Sequence, residues 1–171
     1  MRLTGIVAVV LLGLVALTGI ACGSNNPISH YENKEFSYSI DYPREWEFGN
    51  INKNEIGVMP RDTTYNQIQI AAYHTEPLIG TVPESTYANM SAKSLTTFIN
   101  LVGGSNVNIS YNQRASGQWD WTTIFTFKYE GELLSGKFLI KETPSTTYTL
   151  ACLGNAYWTE GEIVVDSFKV Y

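Results

Sequence analysis

Cysteine is scarce in this chain of 171 residues, with only Cys22 and Cys152. A disulfide framework and cysteine-pair metal sites both need more than that. Histidine is equally rare, with His30 and His74 alone. A serine nucleophile needs a positioned histidine, and neither has a supporting context. A Gly-x-Ser-x-Gly elbow is absent, and Gly103-Gly104 is not followed by the Gly-Lys-Ser/Thr of a phosphate loop. Positive charge is sparse too, at 11 Lys and Arg against 16 Asp and Glu, a net charge of −5. An acidic surface repels phosphate backbones and anionic headgroups, which excludes nucleic acid as a partner. No internal repeat and no second linker is visible, so one domain is expected. No cofactor and no metal is called for.

What is present starts at the N-terminus. Arg2 is followed by an uncharged apolar run from Leu3 to Ala21, the layout of a signal peptide. The run is about long enough to span a bilayer, which takes ~20 residues. However, the small residues Gly19 and Ala21 sit where a peptidase needs them, and no basic cluster follows to stop transfer. Thr18-Gly19-Ile20-Ala21-Cys22 is similar to a bacterial lipobox. Cys22 is then expected to become the first mature residue and to carry a diacylglycerol and an N-linked fatty acyl chain such as palmitate. Two or more chains give stable anchoring where one is marginal. This reading divides the chain into a signal peptide (1–21), a lipidated tether (22–30) and a folded domain (31–171). It places the domain on the extracytoplasmic face of a cell membrane, held there by lipid. Loss of the leader and Arg2 leaves a net charge of −6. Cys152 is then without a disulfide partner.

The body reads as strands, a helix, strands, a helix and a strand. Glu35–Tyr42 alternates Phe36, Tyr38, Ile40 and Tyr42 with polar residues, a strand with one buried face. Pro43 ends it. Glu45–Phe48, Ile56–Met59 and Gln67–Tyr73 are further strand candidates. Thr81-Val82-Pro83-Glu84 has the form of a capping box. Behind it, Tyr87, Met90, Leu95, Phe98, Leu101 and Val102 recur at helical spacing, and Gly103-Gly104 supplies the stop. Four strands follow: Val107–Arg114, an aromatic strand from Trp119, Glu132–Glu142 and Thr146–Leu153. In the second, Trp119, Trp121, Thr123, Phe125, Phe127 and Tyr129 are expected to share one face. Close spacing implies an antiparallel meander. Asn155–Val165 suggests a second helix and Phe168–Val170 a last strand. Helices before and after the meander cover both sheet faces, an α+β fold built as an α/β/α sandwich.

One segment carries a family resemblance. In residues 31–46, YENKEFSYSIDYPREW, an aromatic strand runs into Tyr42-Pro43, with Trp46 three residues beyond the proline. This resembles the opening of PsbP-type domains. The helix with Tyr87 and Ala88, the aromatic meander and the closing IVVDSF of residues 163–168 follow in the same order. The resemblance covers nearly the whole chain after the leader and implies the Mog/PsbP-type α/β/α sandwich. It also implies a style of function, since such domains mostly bind or help assemble complexes without catalysis. In the best-known case they do so at the lumenal side of photosystem II, where calcium retention is involved. On this reading a protein partner is expected here, of unknown identity.

Candidate site residues follow. Trp46, Trp119 and Trp121 are candidates for partner binding, since aromatic side chains anchor interfaces. The competing reading buries them in the core. Asp41, Glu45 and Glu47 beside Trp46 are the carboxylates an extracytoplasmic glycan hydrolase would require, or a weak calcium site. A third reading is a small-ligand or calcium carrier, related to the photosystem II extrinsic subunit, with a cleft between sheet and helix. An ester hydrolase would need a serine near His74. His74 with Glu76 lacks metal-ligand spacing. Cys152 reads as a small buried hydrophobe.

Overall fold

The computed structural model describes residues 28–61, 65–155 and 159–171. The leader, Cys22, Tyr157 and Trp158 lie outside them.

The first element is a strand, β1 (Ile28–Asn33), that pairs antiparallel with β2 (Tyr38–Pro43) from Ile28↔Pro43 to Asn33↔Tyr38. Three residues assigned to the tether, Ile28, Ser29 and His30, therefore belong to the sheet. The intervening loop contains Ser37 in the left-handed region (φ 52°), and Phe36 N–H donates to Asn33 Oδ1 at 3.0 Å. That turn shortens the strand expected from Glu35, because a left-handed residue interrupts the pleat. Its inward residues hold their places: Phe36, Tyr38 and Ile40 are buried.

Next come β3 (Glu47–Asn52), β4 (Glu55–Met59) and β5 (Gln67–His74). Helix α1 (Glu84–Leu101) leads to β6 (Ser105–Arg114), β7 (Trp121–Tyr129), β8 (Glu132–Glu142) and β9 (Thr146–Gly154). Helix α2 (Thr159–Ser167) and β10 (Lys169–Val170) end the chain. Seven strands form one antiparallel sheet in the order β3-β4-β5-β9-β8-β7-β6, and β1-β2-β10 form a second, smaller sheet. The β6–β9 meander is present as expected. Glu130 (φ 49°) and Gly131 (φ 91°) make the two-residue β7–β8 turn. Successive left-handed residues suit the right-handed twist of the strands they join.

Two hydrophobic clusters lie on opposite faces of the large sheet. On one, Tyr87, Leu95 and Ile99 of α1 pack on Trp121, Phe125, Phe127, Leu134, Phe138 and Leu153. On the other, Val164 and Val165 of α2, Tyr38 and Ile40 of β2, and Phe168 pack on Ile56, Val58, Ile68, Ile70 and Leu150. Helices therefore cover both faces, and the small sheet joins α2 on the second.

Details of α1 differ from expectation. Its inward stripe is Tyr87, Ser91, Leu95 and Ile99, spaced by four, while Met90 and Leu101 face out. The capping box does not form. Pro83 stands at the N-cap with extended geometry, and Thr81 Oγ1 donates back to Leu78 O at 2.8 Å. A hydroxyl used in a local turn is lost to the helix end.

Candidate interaction surface

Trp46, Trp119 and Trp121 are all buried, at 5%, 9% and 1% exposure. Trp46 N–H donates to Pro43 O at 3.0 Å, closing the turn after β2. Trp119 stacks on Phe168 with ring centroids 5.0 Å apart. Trp121 packs on Tyr87 at 4.7 Å, and its Nε1–H donates to Asn112 Oδ1 at 2.7 Å. As folded, the three indoles serve packing and present no face to a partner. Trp119 and Trp121 also lie in opposite clusters, not on one face. Strand alternation begins only at Trp121. Asp120, just before it, is held by β8: its N–H donates to Ile140 O at 2.9 Å, and its carboxylate accepts from Glu142 N–H at 2.8 Å. It also pairs with Lys141 Nζ at 3.0 Å.

The carboxylates near Trp46 are dispersed. Asp41 lies in β2 of the small sheet and pairs with His30 Nδ1 at 2.6 Å. Glu45 is exposed in the turn, and Glu47 begins β3 of the large sheet. The His74 ring stacks on Phe36 at 4.7 Å, and its Nδ1 lies 3.5 Å from Thr146 Oγ1. Among the described residues, no three His, Cys, Asp or Glu side chains are grouped to hold a metal ion, and no helix is long and apolar enough to cross a membrane. Cys152 is buried, and its thiol is pushed up to about 12 by desolvation and then by Glu162, with Lys137 opposing. A thiol so held stays protonated and unreactive at neutral pH.

Several buried polar groups are engaged. Asn112 joins β6, β7 and α1: its Nδ2–H donates to Ala88 O at 2.8 Å, and its Oδ1 accepts from Trp121 and, at 2.9 Å, from Thr123 Oγ1. Ser91 Oγ then donates to Thr123 at 3.1 Å, since the Thr123 proton is already used. Glu142 accepts from Leu78 N–H, Ile79 N–H and Tyr87 Oη, fastening the loop before α1. Tyr87 is held well above the ordinary tyrosine range, first by burial and then by the Glu142 charge. None of these signals is visible in sequence, because each joins groups brought together only by the pairing of separate elements.

What remains at the surface is a half-covered sheet. α1 sits over β6 and β7, and α2 with the small sheet sits over β4, β5 and β9. Each face of the large sheet is therefore bare on the half opposite its cover. On the α2 side, Ile124 of β7 (37% exposed) lies between Tyr111 of β6 and Lys137 of β8. Leu133, on that same side, pairs across from Lys128. On the α1 side, Tyr73 of β5 is 44% exposed. A separate groove of about 400 Å³ beside β10 is lined by Gln118, Lys141, Asp166, Phe168, Lys169 and Val170. Gln118 donates to Phe168 O across it. It is open to solvent and edged by Lys141, Asp166 and Lys169, unlike the enclosed sites that hold small ligands.

Sequence comparison matches no family model and no curated protein. Solved structures do match. The cyanobacterial PsbP (CyanoP) of Synechocystis sp. PCC 6803 aligns at a TM-score of 0.68 and 12% identity, over 94% of this chain and 99% of that one. The Saccharomyces cerevisiae Ran-binding protein Mog1p aligns at 0.53 and 8% identity, over 84% and 95%. A Bacteroides thetaiotaomicron protein aligns at 0.53 and 14% identity, over 83% of this chain and 48% of that one. At these identities the likeness concerns architecture, and the architecture of this chain is the PsbP-like fold.

Proposed function

We propose that this chain is a membrane-anchored extracytoplasmic lipoprotein whose PsbP-like domain binds a protein partner without catalysis. The observation that carries the binding half is the bare sheet face around Ile124 and Leu133, apolar residues left in solvent while Trp46, Trp119 and Trp121 are packed inside. Ile124 and Leu133 stand four positions apart along that face among Thr126, Ser135 and two lysines, apolar anchors in a polar setting that suit a protein contact. The fold likeness supports it, since one neighbour, Mog1p, is named for binding Ran. The anchoring half rests on the lipobox-like residues before Cys22.

Two measurements test the reading. Intact mass of the protein from a bacterial host should show a species beginning at Cys22 with fatty acyl adducts. A chain retaining Met1 with no acyl group would remove the anchor. Cross-linking in gently solubilised membranes should join the chain to a discrete partner, and Ile124→Lys should abolish that product. A partner captured equally well by the Ile124→Lys variant would place binding elsewhere.

A further inference from the structure

Among the described residues, strand β6 is the longest edge strand of the two sheets, at ten residues, and its outer side faces no other strand. Its sequence, SNVNISYNQR, holds no carboxylate, in a chain with 16 Asp and Glu. Two other edges carry acids, Glu32 on β1 and Glu47 on β3, and β10 has two residues only. Natural edges are usually blunted by charge, proline or shortness. β6 has no proline, and its single charge, Arg114, stands at its end. Its protective features are two register shifts against β7, between Ser105 and Asn108 and between Ile109 and Tyr111. The run from Tyr111 to Arg114 is regular.

We propose that β6 is a self-association edge, pairing antiparallel with β6 of a second copy about a two-fold axis near Asn112. A two-fold pairing needs no complementary strand elsewhere on the chain, and charge permits it at β6. Two copies each carrying a net −5 repel over most of their surfaces, and β6 lets them meet with no opposed acids. Antiparallel pairing about Asn112 separates the two Arg114 side chains by about four residues, ~14 Å along the strands. That exceeds the screening length of ~8 Å at physiological salt. An axis perpendicular to the sheet keeps each face continuous, so Tyr111 of one copy stands opposite Gln113 of the other. The bare faces around Tyr111 and Ile124 then merge across the seam, giving a sheet of fourteen strands from two sheets of seven. This association is independent of the partner reading above, because a monomer can bind a partner equally well.

Sedimentation equilibrium of the full chain, in detergent matched to solvent density, tests it. The wild type should show a concentration-dependent monomer–dimer equilibrium at micromolar concentrations. Tyr111→Glu with Gln113→Glu places like charges directly opposite each other and should leave a monomer with an unchanged far-UV spectrum. Tyr111→Lys with Gln113→Lys should do the same. Mixing the two variants should restore the dimer, a rescue that misfolding cannot produce. A wild type that is monomeric throughout, a dimer indifferent to both variants, or a mixture that stays monomeric would each overturn the proposal.

Discussion

Asn112 bonds three groups with one side chain, the Ala88 carbonyl, the Trp121 indole and the Thr123 hydroxyl. Asn112→Ala should therefore cost about 2–4 kcal/mol, because it orphans a buried indole N–H and a helix carbonyl together. Urea denaturation of the variant measures this directly. Tyr38 gives the opposite case. Its hydroxyl is fully buried and, among the described residues, has no partner in hydrogen-bond geometry. Its neighbours bond to each other instead, Asn33 Nδ2 donating to Tyr31 Oη at 3.3 Å. Tyr38→Phe should fold with stability equal to wild type or up to about 1 kcal/mol above it, since removing an unsatisfied hydroxyl relieves a desolvation cost. A large loss in the same denaturation series would contradict that. At this scale the sequence was least informative. Nothing near Trp119 or Trp121 distinguishes a packed indole from a presented one, since burial depends on Phe168 and Tyr87 far along the chain.

Elements were more legible, because hydrophobic period reports local geometry. β7, β8 and β9 fell within two residues of their expected bounds, and the Glu130-Gly131 turn was explicit. β1 carries no such period, because it is an edge strand with no fully buried residue and its composition resembles a tether. The helix cap failed because Thr81 had a nearer acceptor. Within the meander, Gly136 shows how closely β7, β8 and β9 approach. A Cβ there would stand 2.5 Å from Phe125 Cζ, 2.9 Å from Leu153 Cδ2 and 3.0 Å from Cys152 O. Gly136→Ala should destabilise by about 1–3 kcal/mol through overpacking. Gly131→Ala meets no atom but must hold φ 91°, so its cost is backbone strain alone. Thermal melts should show loss in both, and enlarging the neighbouring space with Phe125→Leu should recover stability only for Gly136→Ala.

Across the whole molecule, α/β/α layering followed from element order, and the split into two sheets did not. β2 and β10 are separated by most of the chain, and no local pattern shows that Lys169 pairs with Ser39. The assembled core also sets a pH dependence. Cys152, Tyr38 and Tyr87 all titrate higher when folded than at their ordinary values of 9.0, 10.0 and 10.0, chiefly through burial. The unfolded chain thus loses these protons first as pH rises. Their contribution is fully present below pH 9 and declines above it, as the unfolded groups ionise. Urea midpoints from about pH 8 to about pH 11 should fall steadily, with a shallower fall in Tyr38→Phe. A flat profile would mean that these groups reach solvent in the native state.

Among the described residues, the first strand is bonded along one side only, by β2, with Ile28 opposite Pro43 at the end where the preceding chain enters. A load arriving ahead of Ile28 and directed across the strands, away from β2, meets those bonds one pair at a time and unzips them. Peeling β1 would bare Tyr31 and the outer side of β2, while β10 still clamps β2 from the other side through Tyr171 N–H to Ser37 O. Under such a transverse pull the domain should give up its first strand at low force and keep its two hydrophobic layers, lengthening the segment ahead of the core before the core begins to unfold.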